Sequence, residues 1–274
     1  MDYLINLFNL KNKVCVLTGG GGILAVEMAN GFLNVGAKVV LLDINEKNLN
    51  KNVGSLHSVD SHILCLESNV LDEENLSQVH AKIIDHFGRI DILVNAAGGN
   101  MEGATIGVDQ NFFDLNMEDF KKVTDLNLNG TVLPSMVFGK TMAEQKSGSI
   151  INISSMASCR AITRVVGYSA AKAAVDNFTK WMAVELAQKF GSGLRVNAIA
   201  PGFLLTEQNK TLLTNKDGSL TDRGKTIINI TPFKRFGEPA ELVGTVLWLA
   251  SGASNFVTGA VIPIDGGFSV FSGV

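Results

Sequence analysis

The sequence has little that would suit binding to a nucleic acid or to an anionic membrane. Its 23 basic and 26 acidic residues leave a formal net charge of −3, and no run of Lys and Arg is longer than the pair at 234–235. Proteins that bind such polyanions usually carry a basic patch. We therefore expect neither a nucleic acid nor a membrane as a partner.

Long apolar runs and targeting features are also lacking. No stretch approaches the ~18 uninterrupted apolar residues of a membrane span. The opening MDYLINLFNLKNK lacks the basic start, apolar centre and cleavage site of a signal peptide. Cysteine is scarce: Cys15 and Cys65 lie in apolar, strand-like runs, where buried reduced thiols are typical, and Cys159 stands alone. We expect a cytoplasmic, reducing location and assign no metal site.

What is present is enough apolar sequence for a large core, arranged in a regular alternation. With 46% hydrophobic and 18% charged residues, the protein has the composition of a globular molecule. Seven near-continuous apolar runs with Val and Ile predict strands that are buried on both faces. These runs span residues 13–18, 38–43, 62–67, 91–95, 149–154, 194–200 and 260–265.

Helix-length segments separate these strands, at about residues 22–35, 45–54, 72–87, 116–145, 168–190 and 238–251. The alternation predicts an α/β fold, with a doubly wound, seven-stranded parallel sheet and helices on both faces. No linker or repeat divides the sequence, so we expect one domain over residues 1–274. The polar segment 203–236 follows the carboxyl end of a strand, where ligands bind in such folds, and we expect it to be a substrate lid.

A glycine-rich turn joins the first strand to the first helix. Glycines in TGGGGILAVEMA, from Thr18, would let the backbone approach a pyrophosphate at a helix N-terminus, where the dipole favours an anion. Asp43, at the end of the next strand, is placed to accept hydrogen bonds from an adenosine ribose and to repel a 2′-phosphate. This order predicts a dinucleotide site that prefers NAD to NADP. The alternatives are a tight turn without a ligand, and an Asp43 that only caps the helix near Asn45.

A Tyr, a Lys and a pair of Ser residues form a second candidate cluster. Tyr168 and Lys172 are four positions apart near the start of a helix, so they share one face. Ser154 and Ser155 close the preceding strand. A nearby ammonium lowers the pKa of a phenol and suits it to acid–base work, and a serine hydroxyl can orient a substrate oxygen. The alternatives are an ordinary aromatic, a Lys172 paired with Asp176 on the helix surface, and serines that cap the strand end.

These motifs together resemble the short-chain dehydrogenase/reductase family along nearly the whole sequence. The matching stretches are TGG (18–20), Asp43, NAAG (95–98), DLNLNG (125–130), NISS (152–155), YSAAK (168–172), RVNAIAPG with Thr206 (195–206) and DGG (265–267). The resemblance implies a Rossmann fold and a catalytic set of Asn127, Ser155, Tyr168 and Lys172. In that set Tyr168 is the general acid–base, Lys172 lowers its pKa and grips the nicotinamide ribose, and Asn127 holds Lys172 through water.

The resemblance also implies which residues bind the cofactor, NAD (NADH). They are Gly19, Gly21, Gly22, Ile23, Asp43, Asn69, Val70, Asn95, Ala96, Gly98, Tyr168, Lys172, Pro201, Gly202 and Thr206. Of these, Asn95 and Gly98 are expected to form the adenine-side floor. The glycine turn departs from the usual family pattern, because Ile23 and Ala25 stand where glycines are common. Either Gly22 takes the close-approach role, or Ile23 presents only its backbone. Asn69 replaces a frequent Asp.

Several stretches resemble, more narrowly, the D-mannonate oxidoreductases of the short-chain type, also called fructuronate reductases. They are TGGGGIL, AAGGN (96–100), SSMASCRAIT (154–163), the segment 203–236 and the tail VIPIDGGFSVFSGV. This implies a sugar-acid substrate, D-fructuronate or D-mannonate, and the wider family implies a homotetramer with the C-terminal segment near an interface. Gluconate-type or other sugar and polyol dehydrogenases and 3-oxoacyl carrier-protein reductases are alternatives, as is a non-enzymatic NAD-binding protein.

A uronate substrate would need a partner for its carboxylate. A water-excluding pocket meets such a charge with a cation or several N–H donors. Arg160 and Arg164 lie between Ser155 and Tyr168, and the planar fork of an Arg suits a carboxylate. We expect Arg160 above all to serve, with Arg164, Asn100 and, more remotely, Arg235 as further candidates. Solvated loop charges are the alternative.

Overall fold

The seven predicted strands form one parallel sheet in the computed structural model, which describes residues 2–53, 56, 62–206 and 209–273. The strands are β1 (Val14–Thr18), β2 (Lys38–Asp43), β3 (Ile63–Glu67), β4 (Ile92–Asn95), β5 (Gly148–Ile153), β6 (Leu194–Pro201) and β7 (Val261–Ile264). Their order is β3-β2-β1-β4-β5-β6-β7. The predicted strands and fold class are therefore confirmed, and no strand end differs from its predicted position by more than one residue.

The helices lie on both faces of this sheet. They are α1 (Asp2–Leu7), α2 (Ile23–Asn34), α3 (Glu46–Val53), α4 (Glu73–Phe87), α5 (Met117–Thr124), α6 (Gly130–Gln145), α7 (Val166–Phe190), α8 (Lys210–Leu213), α9 (Asp222–Ile230) and α10 (Val243–Ala250). Helix α1 was not predicted. Residue 54, the expected end of the second helical segment, and residues 207–208 of the expected lid lie outside the described residues.

The long helix expected over 116–145 is interrupted. A π-helical turn, Asp125–Asn129, lies between α5 and α6, so the backbone advances by one extra residue there. Single π turns of this kind are rare in proteins as a whole, and those that occur often lie at functional sites. The composition of DLNLN gave no sign of it.

The core lies in two layers, one on each face of the sheet, because successive strand residues point to opposite faces. One layer packs Phe32 of α2 and Leu249 of α10 against strand residues, and the other packs Ile83 of α4 and Phe138 of α6. Every residue of β1 is buried. β1 thus has the burial on both faces that its apolar run predicted, whereas for the edge strands β3 and β7 the prediction is wrong, since most of their residues are only half-buried. Cys15 is buried as expected, whereas Cys65 in β3 is only half-buried.

An ion-pair cluster holds the amino-terminal end of the central strands. The carboxylate of Asp91, directly before β4, accepts hydrogen bonds from Lys13 Nζ and from the Val14 backbone N–H, each at 3.0 Å, and from Arg89 Nε at 2.8 Å. Burial alone raises the pKa of Asp91, but the hydrogen bonds from Arg89, Val14 and Lys13 lower it below the ordinary value. This cluster lies at the sheet end away from the site described below.

The segment 203–236, which we expect to be a lid and call the lid below, contains more regular structure than its polar sequence suggested. It holds α8 and α9, and Leu204 pairs with Gly237 across its base in an isolated parallel bridge. The side chain of Thr221 caps α9 by accepting from the Gly224 N–H at 3.1 Å. Within the described residues, no helix is both long enough and apolar enough to cross a membrane.

Candidate active site

A cleft of about 540 Å³ opens at the carboxyl ends of the strands, where the strand order of the sheet reverses between β1 and β4. This is the place at which doubly wound sheets bind ligands. The cleft is lined by most of the residues that the sequence singled out. They are Gly19, Gly21, Gly22, Ile23, Asp43, Asn69, Val70, Ala96, Gly98, Ser155, Tyr168, Lys172, Pro201, Gly202 and Thr206.

The glycine turn leaves the N-terminus of α2 open toward this cleft. Gly22 is the N-cap residue, has no side chain to cap the helix, and donates its N–H to the Gly19 carbonyl at 2.9 Å. Gly19 has φ +65°, and a Cβ there would lie 2.8 Å from the Ala97 Cα. Ile23 is then the first helical residue. The start of α2 therefore opens on the cleft with backbone N–H groups, the arrangement at which helices bind anions, and which of Gly22 and Ile23 a phosphate would approach stays a prediction.

The carboxylate of Asp43 is oriented by the same turn. Its Oδ2 accepts the Gly21 N–H and its Oδ1 accepts the Asn45 N–H, both at 2.9 Å. The N-terminus of α3 is capped by Asn45, whose Oδ1 accepts the Asn48 N–H at 3.2 Å. Asp43 is thus not the helix cap, and its acidic group lies at the edge of the cleft, one strand away from the glycines.

Asn95 does not line the cleft, so the expectation that it forms the adenine-side floor is wrong. It is 1% exposed, and its Nδ2 donates to Ser135 Oγ at 2.8 Å and to Asn152 Oδ1 at 2.9 Å. Side chains alternate along a strand, and that of Asn95 turns into the protein interior. The backbone of Ala96 and Gly98 lines the cleft in its place.

Asn69 keeps its position at the cleft but uses its carbonyl locally. Its Oδ1 accepts the Leu71 N–H at 3.0 Å, and its own N–H donates to Asn75 Oδ1 at 2.9 Å. The neighbouring Val70 is buried and lines the cleft beside it. The acceptor that the sequence assigned to an adenine is therefore engaged in a turn.

Tyr168, Lys172 and Ser155 come together at the other end of the cleft. Lys172 is 4% exposed, and its Nζ donates to the Ile153 carbonyl at 2.7 Å and lies 5.5 Å from the centre of the Tyr168 ring. The Ser155 hydroxyl lies close enough to the phenol to lower its pKa. The alternative of a surface pair between Lys172 and Asp176 is therefore wrong, because Lys172 points into the protein. Asp176 instead accepts a short hydrogen bond from Ser154.

Burial decides the protonation of this cluster. It raises the pKa of Tyr168, and the Ser155 hydroxyl lowers that pKa by a smaller amount. Burial also lowers the pKa of Lys172 to about 8, while the charge of Asp176 raises it in part. The lowered phenol pKa expected from the sequence is thus wrong for the protein alone, since desolvation dominates. Tyr168 is protonated at neutral pH and is ready to give a proton.

Asn127 lies behind the cleft, in the π-helical turn, and is fully buried. Its Oδ1 accepts the Gly99 N–H at 3.1 Å, and its Nδ2 donates to the Gly99 carbonyl at 2.7 Å and to the Val123 carbonyl at 2.8 Å. A Cβ on Gly98 would lie 2.7 Å from Asn127 Oδ1 and 3.3 Å from Lys172 Nζ. Asn127 therefore fixes the loop after β4 beside Lys172.

The substrate candidates are placed outside the lining of the cleft, and most are engaged elsewhere. Asn100 donates to Thr105 Oγ1 at 2.6 Å, and Arg160 donates to the Phe271 carbonyl at 2.9 Å. Arg164 uses only its Nε, which donates to the Ile106 carbonyl at 2.8 Å. Arg235 is paired with both oxygens of Glu241 at 2.7 Å.

One residue that lines the cleft was missed. Asn209 accepts the Thr206 N–H at 2.9 Å and donates to the Leu204 carbonyl at 2.7 Å, and so holds the base of the lid. It belongs to the polar segment whose structure the sequence left open, so nothing in its spacing marked it. In the described part of the protein, no group of acidic, His and Cys side chains could hold a metal ion.

Comparison with known proteins agrees with this geometry. A family profile of the short-chain alcohol dehydrogenase type, described as enoyl-(acyl carrier protein) reductase, matches residues 22–269. The uncharacterized oxidoreductase UxuB of Bacillus subtilis is 44% identical over 275 residues, which cover 97% of this protein and 98% of that one. The chain belongs to the short-chain dehydrogenase/reductase family. It is therefore an oxidoreductase.

Two further members of the short-chain dehydrogenase/reductase family are similar to this protein along nearly its whole length. A solved structure from Haemophilus influenzae, provisionally named a D-mannonate oxidoreductase and containing bound NAD, is 41% identical with a TM-score of 0.90, covering 97% of this protein and 98% of that one. The 3-oxoacyl-[acyl-carrier-protein] reductase FabG of Thermotoga maritima is 35% identical over 95% of this protein and 99% of that one.

Proposed function

We propose that the protein is an NAD(H)-dependent oxidoreductase that transfers a hydride between nicotinamide and a secondary alcohol or ketone of a sugar acid. The substrate pair we propose is D-fructuronate and D-mannonate. The observation that carries the proposal is one continuous cleft with Asp43 and the open N-terminus of α2 at one end and the Ser155, Tyr168 and Lys172 cluster at the other. The likeness to the Haemophilus protein supports the choice of substrate.

The cleft residues fit a dinucleotide. The uncapped N-terminus of α2 can hold the pyrophosphate, Asp43 can accept from the adenosine ribose hydroxyls, and Lys172 can donate to the nicotinamide ribose. Pro201, Gly202 and Thr206 would bound the nicotinamide. Bound NADH would supply the hydride, and all other chemistry falls to the protein.

The catalytic residues divide the remaining work in the reducing direction. Ser155 donates a hydrogen bond to the substrate carbonyl oxygen and orients it. Tyr168, kept protonated by burial, gives its proton to that oxygen as negative charge develops there. The ammonium of Lys172, next to the ring, then stabilises the phenolate that is left. In the oxidising direction Tyr168 takes the proton back.

Reduction of a 3-oxoacyl thioester is the second candidate, because the Thermotoga relative bears that name. Gluconate-type and other polyol dehydrogenases would use the same catalytic residues. A non-enzymatic NAD-binding role is disfavoured, because Ser155, Tyr168 and Lys172 are all present and assembled.

The substrate proposal is tested by the oxidation of NADH with a panel of ketones. The panel contains D-fructuronate, 5-keto-D-gluconate, D-fructose and a 3-oxoacyl thioester. We expect the highest kcat/KM with D-fructuronate. If the enzyme ignores both carboxylated sugars but reduces the neutral ketose or the thioester, the sugar-acid proposal is wrong.

The cofactor proposal is tested at Asp43. The carboxylate would face the 2′-phosphate of NADPH without a cation to neutralise it. Two like charges brought together in this way repel each other and weaken the binding of NADPH. We expect NADH to be strongly preferred, and we expect Asp43→Ala to narrow the NADH/NADPH ratio in kcat/KM. Equal use of both cofactors by the unmodified enzyme would contradict the assignment.

We also propose a cytoplasmic homotetramer with the C-terminal segment at or near a subunit interface. Val270, in this segment, is 82% exposed in the single protomer and is therefore available to pack against a partner subunit. Light scattering on the purified protein gives the mass directly. A monomer, or a tetramer unchanged by Val270→Asp and by removal of residues 269–274, would contradict the proposed interface.

A further inference from the structure

Helix α7 is joined to the carboxyl end of β5 by side-chain hydrogen bonds on three successive turns of the helix. They run from Lys172 Nζ to the Ile153 carbonyl at 2.7 Å, from Ser154 Oγ to Asp176 Oδ1, and from Asn152 Nδ2 to Thr179 Oγ1 at 2.8 Å. Positions 172, 176 and 179 share one face of the helix, because residues three and four apart are neighbours there. We call this set of contacts the β5–α7 seam.

Ser154 is held from both sides within the seam. It is 1% exposed, its backbone N–H donates to the Ile199 carbonyl of β6 at 2.8 Å, and its hydroxyl donates to Asp176. It also lines the cleft, directly before the catalytic Ser155. A shift of Ser154 relative to α7 would therefore move Ser155 relative to Tyr168, and these two must meet the same substrate oxygen.

Asp176 is the acid of the seam, and the catalytic steps proposed above do not use it. It is half-buried, lies one helical turn beyond Lys172, and accepts the Ser154 hydroxyl through Oδ1. Burial lowers the pKa of Lys172, and the charge of Asp176 raises it in part. A carboxylate that is partly removed from water needs a hydrogen bond and a cation nearby, and Ser154 and Lys172 supply these.

Few other ionisable groups face the seam, apart from the phenol of the catalytic set. Cys159 lies on the loop after β5, and desolvation first, and then the charge of Asp176, raise the pKa of its thiol; Asp265 raises that pKa further. The loop after β4 and the π-helical turn bring uncharged groups, backbone and Asn127, to the side of Lys172. Within the described residues, Asp176 is thus the one charged group that acts on Lys172.

We propose that Asp176 is a positioning residue for the catalytic set, an inference that rests on the proposed function. Its carboxylate holds Ser154 against α7 and so fixes Ser155 relative to Tyr168. Its charge keeps Lys172 in the ammonium form that stabilises the phenolate. A hydrogen bond to an ionised acceptor is stronger than a neutral one, so a single carboxylate can serve both purposes.

Three variants separate the hydrogen bond from the charge. Asp176→Asn keeps an acceptor for Ser154 and removes the charge, Ser154→Ala removes the donor and keeps the charge, and Asp176→Ala removes both. Glu185→Gln is the matched control, because it neutralises another half-buried acid of α7, whose partner Lys189 lies 3.3 Å away. The binding of NADH at pH 7, followed by fluorescence, checks that each variant is folded.

The pH dependence of kcat is measured with NADH and the best ketone of the panel, both at saturation. A reaction that needs the Lys172 ammonium slows as pH rises through the pKa of that group, so a lower pKa moves the alkaline limb to lower pH. We expect this shift in Asp176→Asn and Asp176→Ala, and not in Ser154→Ala.

The values of kcat at the optimum pH of each variant report the positioning. We expect Ser154→Ala and Asp176→Ala to lose about tenfold or more, the effect of losing a hydrogen bond to a charged group. Asp176→Asn, which keeps the acceptor, should recover most of this loss at its own optimum. Glu185→Gln should change neither kcat nor the pH profile.

The possible failures are distinguishable. If Tyr168→Phe loses activity while Asp176→Ala keeps the kcat and the pH profile of the unmodified enzyme, the role of Asp176 is overturned and the proposed function stands. If all three variants lose rate equally and the alkaline limb stays in place, Asp176 is only a structural contact, and the proposal is again overturned. If the unmodified enzyme oxidises NADH with no ketone of the panel, the proposed function is overturned, and the role of Asp176 with it.

Discussion

At the scale of single residues, the buried charge that the catalytic cluster needs lowers the stability of the protein. Lys172 is buried with a pKa of about 8 instead of 10.5, because burial penalises its charge. Since the unfolded protein holds this proton more tightly, the ammonium costs ~3 kcal/mol of folding free energy below pH 8. That cost shrinks as pH rises from about 8 to 10.5, where the unfolded Lys also loses its proton.

Lys172→Met should therefore stabilise the protein while abolishing activity. The gain at pH 7 should be about 1–2 kcal/mol, because the lost hydrogen bond to the Ile153 carbonyl offsets part of the benefit. Denaturant unfolding at pH 7 and pH 10 measures it. The variant could instead be less stable than the unmodified protein at pH 7, or its gain in unfolding free energy could grow with pH. Either result would show that the buried ammonium does not destabilise the protein.

The sequence allowed some residue roles to be predicted and not others. Tyr168 and Lys172 were predictable because helix geometry places residues four apart on one face. The position of the Asn95 side chain was not predictable, because the direction of a side chain at a strand end depends on the local alternation of the strand. Here the side chain turns inward. The raised pKa of Tyr168 was also missed, since desolvation depends on packing that spacing does not give.

At the scale of elements, the lid depends on close contact between its two helices. A Cβ on Gly224 of α9 would collide with the Leu213 carbonyl at the end of α8. Gly224→Ala should displace these helices and lower kcat/KM for the sugar acid roughly ten- to hundredfold, because positioning is lost. Binding of NADH should change much less.

Gly244→Ala is the matched control for this prediction. Gly244 is also a helical glycine, and within the described ranges a Cβ there has no neighbour within 4 Å. It should stabilise α10 by about 0.5–1 kcal/mol and leave the kinetics unchanged. Equal kinetics for the two variants would mean that the packing of α8 on α9 has no part in substrate binding.

Some helices and strands could be predicted from the sequence and others could not, and the difference has a physical reason. The strands carry apolar residues on both faces, so each run was plain in the sequence. Helices α8 and α9 have four and nine residues, short enough that packing rather than propensity decides them. The π-helical turn at Asp125–Asn129 has helical composition on both sides, which hid the extra residue.

At the scale of the whole molecule, the two ends of the sheet have separate tasks. The carboxyl end bears the cleft, and the amino end is held by the cluster around Asp91. The lowered pKa of Asp91 means that its carboxylate adds stability above pH ~4, its ordinary pKa, and that this is lost as pH falls through the lower folded value.

Asp91→Asn should therefore destabilise the protein without touching the chemistry. We expect a loss of about 2 kcal/mol, since Lys13 and Arg89 lose their shared partner but are themselves partly exposed. Thermal unfolding should move down by roughly 5 °C, and acid unfolding should begin at higher pH. A fall in kcat/KM per folded enzyme would show that the two ends are coupled after all.

In the proposed mechanism Tyr168 delivers the proton at one end of the cleft, and the cleft binds NADH without needing the phenol. The most direct measurement compares the unmodified enzyme with Tyr168→Phe, using NADH and the best ketone of the panel, while fluorescence follows NADH binding. General acid–base groups contribute ~10²–10⁴-fold, so Tyr168→Phe should lose activity by that factor and bind NADH as before. Near-normal turnover by Tyr168→Phe would show that Tyr168 is not the proton donor.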